Sequence, residues 1–220
     1  MSTAMSLLGY YHWFHREWMR AGLVVSIFLL VYLTVLVAPN NLVLYSMLLC
    51  APLYMLHETE EYLFPGGFVE FANRDLYKQN PETGMLDESL VYWINMGYIW
   101  LPLPLCGLLA TQDLRFAAWM PYFFIFQAVV HIVLSVATRR WYNPGLATAC
   151  LLHIPFALWA LYLLKNAGVM DNLYWNPYLL VGFIFILGLP AAGFLGLKRY
   201  QKQISKSASM GLGEVPTTSP

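Results

Sequence analysis

The residues best suited to chemistry are His57, Glu60 and Glu61, which follow a long apolar stretch. Residues 42–56 carry no charge, so the helix that they predict meets an imidazole and two carboxylates at the end of an apolar run. At about 100° per residue, Glu60 and Glu61 flank His57 on one helix face, whereas Glu58 points elsewhere. Ionisable side chains in membrane spans usually face the bundle interior and mark ion paths, proton relays or binding sites. We therefore predict a functional site on this face; the alternative is a wet helix end with solvated carboxylates.

The composition is that of a membrane protein. Of the 220 residues, 59% are hydrophobic and 11% are charged, which is far from the balance of a soluble globular domain. The formal net charge is zero, so nothing favours a nucleic-acid partner. The three cysteines lie in apolar runs without the spacing of a metal site or a disulfide framework. The expected partner is a membrane lipid or another hydrophobic small molecule, and the sequence supports no prediction about protein partners.

Six apolar stretches predict an all-α fold, a multi-pass bundle of six transmembrane helices. Residues 1–20 are expected to form an interfacial segment, residues 21–200 the transmembrane domain, and residues 201–220 a disordered cytoplasmic tail. Pro102 and Pro104 predict a kink in the third span. The predicted spans are 21–38, 42–64, 89–110, 116–138, 146–164 and 177–197.

Basic residues set the orientation of this bundle. With the N-terminus inside, ten of the twelve Lys and Arg residues fall on the cytoplasmic side, and only Arg115 and Lys165 fall outside. Cytoplasmic loops of membrane proteins carry this excess of positive charge. We therefore expect both termini in the cytoplasm and an integral location in the cytoplasmic or plasma membrane.

Three histidines share one predicted depth. His57, His131 and His153 each lie eight residues inside the cytoplasmic end of a different span, the second, fourth and fifth. At 1.5 Å per residue this places each of them about 12 Å deep. Asn95 of the third span lies in nearly the same layer. One such histidine is more often a hydrogen-bonded core residue, but three beside a His-Glu-Glu face predict a site.

The predicted mouth of this layer is crowded with polar residues. Arg139, Arg140 and Tyr142 precede an Asn-Pro-Gly turn, and Thr148 follows it by one helical turn. The arginines satisfy the charge rule for cytoplasmic loops, or one of them pairs with Glu61 or holds an anionic group. Thr148 has either a bound ligand or its own helix as a partner.

Two chemistries suit this residue set. Imidazole and carboxylate are the usual ligands of zinc and of non-haem iron, so one such ion is suspected, in a metal-dependent hydrolase or oxidoreductase acting on a lipid or other hydrophobic substrate. Without a metal, the same groups suit a proton-transfer enzyme of the isomerase or cyclase type. Outside enzymes, a proton-coupled transporter or a structural membrane protein stays open. The candidate metal ligands are His57, Glu60, Glu61, His131 and His153; the candidate catalytic residues are Glu60, Glu61, Arg139 and Tyr142; the candidate substrate-binding residues are Asn95, Gln127, Arg140 and Thr148.

Two motifs carry a family resemblance. The first is His57-x-x-Glu60-Glu61 with the sequence YLFPGGF after it, and the second is WYNPGLATA at residues 141–149. Together they resemble the HXXEE-motif integral membrane proteins over about residues 40–165. The resemblance implies a compact multi-pass membrane domain, but that family is one of unknown function, so it supplies no reaction.

Overall fold

The computed structural model describes residues 6–209, and these form helices and short connections with no strand among them. Five of the helical segments are long and apolar enough to cross a membrane, which indicates a membrane protein. They are Leu7–Leu36, Leu42–Tyr62, Leu114–Thr138, Leu146–Asn166 and Pro177–Lys202.

The first two long segments are joined by the predicted Pro-Asn-Asn turn. Helix α1 (Leu7–Leu36) also contains residues 7–20 of the segment that we predicted to be interfacial, whose residues 1–5 lie outside the described part of the chain. Asn40 donates its amide to the carbonyl of Leu36, and the Asn41 side chain caps the next helix by accepting from the Leu44 backbone N–H. That helix comprises α2 (Leu42–Leu48) and α3 (Cys50–Tyr62), and α1 packs along α3.

The polar loop after α3 contains the predicted short helix. It begins as α4 (Phe68–Phe71) and continues as a π-helical turn, Ala72–Leu76. Ala72 is buried in a small apolar cluster with Trp18 and Tyr92, and its neighbour Phe71 is also buried. The short helix is therefore packed against the bundle.

The third predicted span is helical but interrupted. It consists of α5 (Glu88–Trp93), a π-helical turn (Ile94–Ile99) and α6 (Pro102–Leu109), with a break at residues 100–101. Prolines lack the N–H that would bond to the preceding turn, so the break falls just before Pro102, where we predicted a kink. This segment is not among the five that are long and apolar enough to cross a membrane.

The remaining chain forms the other half of the bundle. A 3₁₀ turn, Leu114–Phe116, leads into α7 (Met120–Thr138), which ends at Arg139 in the left-handed conformation with φ 55°. The fifth span consists of α8 (Leu146–Thr148), a π-helical turn (Ala149–His153) and α9 (Ile154–Asn166). Helix α10 (Pro177–Ser209) packs on α7, and α7 also packs on α9.

Helix α10 continues past the boundary that we predicted for the tail. It includes residues 201–209, which we expected to be disordered, so its end does not coincide with residue 200. The rest of the predicted tail, residues 210–220, lies outside the described residues.

The main apolar core joins α2, α3, α6, α7, α9 and α10. Tyr54, Phe123 and Phe124 are buried in it beside the small residues Ala157 and Ala160 of α9. The Tyr54 ring lies edge-on to His57 of α3 and stacks on His153 of the π-helical turn before α9. The apolar core therefore borders these polar residues directly.

Candidate functional site

The three histidines of the predicted layer meet inside the bundle. The ring centroid of His57 lies 4.9 Å from that of His131 and 4.4 Å from that of His153. His57 is supplied by α3, His131 by α7, and His153 by the π-helical turn before α9. All three side chains are buried, with relative exposures of 0%, 1% and 0%. The helix ends inferred from sequence therefore placed these imidazoles at compatible depths.

Glu61 completes a compact group with two of these rings. Its Oε1 atom lies 3.6 Å from Nε2 of His57 and 3.3 Å from Nε2 of His131. One ligand atom from each of the three residues lies within 4.8 Å of the others. We call the three atoms His57 Nε2, His131 Nε2 and Glu61 Oε1 the centre.

Asn143 fixes the proton of His131. The Asn143 amide N–H₂ donates to the backbone carbonyl of His131 at 2.9 Å and to Ser135 Oγ at 2.8 Å. Its Oδ1 atom therefore faces Nδ1 of His131, 2.8 Å away, and must accept a hydrogen from it. In a neutral ring, Nε2 of His131 then carries a lone pair directed at the centre.

Thr148 does the same for His57. The Thr148 hydroxyl donates its one hydrogen to Glu60 Oε2, 2.6 Å away, because that oxygen can only accept. The hydroxyl oxygen must then accept from Nδ1 of His57 at 2.8 Å. A neutral His57 therefore also directs an Nε2 lone pair at the centre, and Thr148 links that ring to Glu60.

Glu60 is fully bound by the start of the fifth span. Its Oε1 accepts from the Tyr142 hydroxyl at 2.9 Å and from the Ala147 backbone N–H at 3.0 Å. Its Oε2 accepts from the Thr148 backbone N–H and from the Thr148 hydroxyl, both at 2.6 Å. The first N–H groups of a helix have no partner within it, so Glu60 caps α8 from another helix. We call these four donors the Glu60 cradle.

The Glu60 cradle changes the role that we expected for Glu60. Its two oxygens are occupied by hydrogen-bond donors, and it is outside the group of closely spaced ligand atoms. It is connected to the centre through Thr148, whose hydroxyl bonds both Glu60 Oε2 and His57 Nδ1. Burial, and then the bond to Glu60, raise the pKa of the Tyr142 phenol, so Tyr142 stays a donor.

Gln127 lies beside the centre on the same face of α7 as His131. Its Nε2 is 3.3 Å from Nε2 of His57 and 3.3 Å from Nε2 of His131. Its Oε1 is buried and has no hydrogen-bond partner among the described residues. Gln127, which we predicted to bind substrate, therefore touches both imidazoles of the centre.

His153 lies in the layer without joining the centre. Its ring packs 4.3 Å from Phe124 and stacks at 5.9 Å on Tyr54, as measured between centroids. Neither of its ring nitrogens has a hydrogen-bond partner among the described residues. The alternative role that the sequence left open, a hydrogen-bonded core residue, is therefore not what the structure places there.

Gly145 packs directly against the residues of the centre. It has φ +95°, a conformation that favours glycine. A Cβ atom on it would lie 2.5 Å from Cε1 of His131, 2.9 Å from Cε1 of His57 and 2.9 Å from Cγ of Glu61. Only a residue without a side chain fits at this position.

Three further predicted site residues lie away from the centre. Arg140 is exposed and binds Asp75, with Nε 3.1 Å from Oδ2, instead of pairing with Glu61. Arg139 is exposed at the end of α7. Asn95 donates to the Val91 carbonyl at 2.9 Å and to the Tyr62 hydroxyl at 3.3 Å. Arg140 thus joins the end of α7 to the π-helical turn at residues 72–76, and Asn95 joins the third predicted span to α3.

Glu58 points away from the centre, as its helical angle predicts. It is fully buried, and its Oε2 accepts from Nε1 of Trp100 at 2.5 Å, at the break of the third span. Its Oε1 has no hydrogen-bond partner among the described residues. The Trp100 ring occupies a notch at Gly22 of α1, where a Cβ would lie 2.5 Å from Cη2.

Sequence reasoning missed two residues of the site. We interpreted Asn143 and Gly145 as turn residues, whereas Asn143 orients His131 and Gly145 makes room for both rings. One signal pointed to them, because both belong to the second family motif, residues 141–149.

A surface cleft of about 580 Å³ lies elsewhere, among the connections at the opposite ends of the helices. Thr111, Gln112 and Asp113 line it, and none of the site residues does. The centre, whose three residues are buried, is therefore not part of this cleft.

Comparison with known proteins adds a family without a reaction. Neither the curated proteins nor the solved structures yielded a match to the chain. A family described as "Protein of unknown function with HXXEE motif" matches residues 48–160, which is just over half of the 220 residues and includes both motifs. The chain therefore belongs to the HXXEE-motif family, whose function is unknown.

Proposed function

We propose that this protein is an integral membrane enzyme that holds one zinc or iron ion between His57 Nε2, His131 Nε2 and Glu61 Oε1. One observation carries the proposal: three lone-pair acceptors point at one buried spot, because Asn143 and Thr148 fix both imidazole protons on Nδ1. The N–H₂ group of Gln127 can donate to the two imidazoles, but Glu61 Oε1 beside them repels their lone pairs unless a cation or a proton lies between.

The spacing of these atoms suits a metal better than a direct hydrogen bond. The Nε2 to Oε1 distances are 3.3 Å and 3.6 Å, whereas N–H···O bonds are usually about 2.7–3.2 Å long. With metal–ligand distances of about 2.0–2.1 Å, the ligands of a tetrahedral zinc ion lie about 3.4 Å apart. The outer partners also fit, since metal-bound histidines usually donate their other N–H to an oxygen.

The proposed reaction is hydrolysis or oxidation of a lipid or another hydrophobic substrate that reaches the site from the membrane. Bound zinc would supply a water with a pKa near 7, and bound iron would supply redox chemistry. We assign proton transfer to His153, because its two nitrogens have no partner among the described residues and its ring adjoins that of His57. Glu60 is not assigned this role, since the Glu60 cradle already binds both of its oxygens.

The proposed membrane arrangement has six spans and two cytoplasmic termini. The broken third segment, α5 to α6, is counted with the five long helices. The excess of basic residues on one side supports this orientation, as does the break at Pro102, since prolines are tolerated in spans packed against neighbours. Reporter fusions after residue 209 and within the loop 167–176 should report opposite sides of the cytoplasmic or plasma membrane.

Metal analysis of detergent-purified protein tests the proposed centre. We expect one zinc or iron ion per chain in the wild type and loss of the ion in His57→Ala and Glu61→Ala. Glu58→Gln is the matched control, because Glu58 is a buried glutamate of the same helix that lies outside the centre. Metal-free wild-type protein, or equal loss in the control, would contradict the proposal.

A metal-free proton-transfer enzyme is the second candidate. Its support is that His131 Nε2 and Glu61 Oε1, 3.3 Å apart, are close enough for a shared proton to take the place of the cation. Folded wild-type protein that lacks metal and still isomerises or cyclises a hydrophobic substrate, with activity lost in Glu61→Gln, would favour this reading.

A further inference from the structure

We infer that Gln127 is the fourth ligand of the metal-loaded centre, through its carbonyl oxygen, and that its amide turns over when the metal binds. The inference rests on the proposed metal centre and adds which protein atoms bind the metal when no substrate is present.

The amide of Gln127 adds a fourth atom to the three of the centre. The amide atom facing the centre lies 3.3 Å from Nε2 of His57 and 3.3 Å from Nε2 of His131. Glu61 Oε1 lies 3.6 Å and 3.3 Å from the same two nitrogens. Four of the six distances among these four atoms thus match the separation of about 3.4 Å expected between the ligands of a four-coordinate zinc ion.

The chemistry decides which amide atom faces a bound ion. The structure has the N–H₂ group there, where it can donate to the two imidazole lone pairs. A metal would occupy those lone pairs and would meet the positive end of the N–H dipoles. Turning the amide by 180° replaces the N–H₂ group with the carbonyl oxygen, which is a ligand for hard and borderline cations.

The turn breaks no hydrogen bond on the other side of the amide. Gln127 Oε1 has no partner among the described residues, so the N–H₂ group that replaces it displaces nothing. Gln127 is held at this place because it lies one helical turn before His131 on α7. The same side chain therefore suits the centre with and without a metal.

The consequence is a centre that is closed at rest. Two imidazoles, one carboxylate and one carbonyl fill four positions, as in structural zinc sites, whereas a catalytic zinc keeps one position for water. Gln127 must therefore leave its position before water or substrate binds the metal. A neutral carbonyl is the ligand of this set that is easiest to displace.

Electron paramagnetic resonance of the cobalt(II)-loaded full-length protein in oxygen-17 water tests this inference. A water bound to cobalt broadens the signal, while four protein ligands leave it unchanged. We expect no broadening in the wild type or in Gln127→Glu, which keeps an oxygen ligand. We expect broadening in Gln127→Ala and in Gln127→Leu, which removes the oxygen but fills more of the space.

The outcomes separate this inference from the function on which it rests. Cobalt uptake with broadening already present in the wild type would overturn the role of Gln127 and leave the metal centre standing. Unbroadened signals in both Gln127→Ala and Gln127→Leu would overturn it equally. Wild-type protein that takes up no cobalt would overturn the inference together with the proposed metal centre.

Discussion

Glu60 and Glu61 are adjacent in the chain, but their surroundings are opposite. Glu60 meets four hydrogen-bond donors in the Glu60 cradle, so its negative charge is balanced within the protein. Glu61 faces two imidazole nitrogens that are themselves acceptors. Glu60 therefore has all the hydrogen-bond donors that its charge requires, whereas Glu61 has the surroundings that the proposed cation would need. The difference supports assigning the proposed chemistry to Glu61 and a positioning role to Glu60.

Replacing each glutamate by glutamine should separate these two roles with the largest effect. Glu60→Gln turns an acceptor into a donor that faces N–H and O–H groups, and we expect the free energy of unfolding to fall by about 4 kcal/mol. In Glu61→Gln the new N–H₂ group can donate to the imidazoles, so the metal-free protein should lose less than about 1 kcal/mol. Denaturation in detergent measures the free energy of unfolding of both variants.

Similar losses in the two glutamine variants would remove the distinction between Glu60 and Glu61. Glu58→Gln serves as the reference, because its new amide can still accept from Trp100 through its oxygen.

Adding one methyl group at Gly145 should disturb the centre itself. The Cβ of Gly145→Ala meets both imidazoles and Glu61, and the residue has positive φ. We expect a loss of about 3 kcal/mol in the free energy of unfolding, from overpacking and backbone strain together, and loss of the metal. The control is Gly168→Ala, which has φ +70° and no atoms within 4 Å of the new Cβ, so only strain of about 1 kcal/mol applies. Equal losses at both glycines would contradict close packing at the centre.

Thr148→Val should weaken the link between the Glu60 cradle and the centre. Valine keeps the shape and the backbone N–H but removes the hydroxyl that accepts from His57. Loss of such an outer partner typically lowers metal affinity about 10–100-fold, or about 1.4–2.8 kcal/mol. Metal titration against a chelator measures the change.

The matched control for this variant is Thr59→Val on α3, whose hydroxyl donates to the carbonyl of Met55. An affinity as high in Thr148→Val as in Thr59→Val would show that the link is not needed.

Tyr142→Phe should give the smallest effect, about 1 kcal/mol of unfolding free energy, because three donors to Glu60 remain. The pKa of Tyr142 is raised in the folded protein by burial and by Glu60, so its stabilising contribution is complete below pH about 10, the unfolded pKa. That contribution declines as pH rises above this value. The difference in stability between the wild type and Tyr142→Phe, followed from pH 8 to 11 by denaturation, should therefore narrow at the alkaline end, and a widening difference would contradict the sign.

Much of the framework follows from the sequence because it depends on periodicity and depth. Counting residues from the ends of the spans brought His57, His131 and His153 to one level, and helical angles directed Glu58 away from them. The long apolar runs likewise indicated the five membrane-length helices. These properties need only the repeat of one helix and the ends of its apolar run.

Other features depend on contacts between elements and could not be predicted. The helical angles of Glu60 and Glu61 are alike relative to His57, so only the start of α8 tells which of them becomes its cap. Asn143 and Gly145 act through the positions of rings on other helices. The third predicted span has three parts because it contains a π-helical turn and a break before Pro102, and hydropathy alone indicates neither of them.

The notch at Gly22 makes three positions that are distant in the sequence, Gly22, Trp100 and Glu58, depend on one another. A larger residue at 22 requires a smaller ring than that of Trp100, and a smaller ring deprives Glu58 of the donor that the structure gives it. Substitutions at Gly22, Trp100 and Glu58 are therefore expected to occur together among relatives.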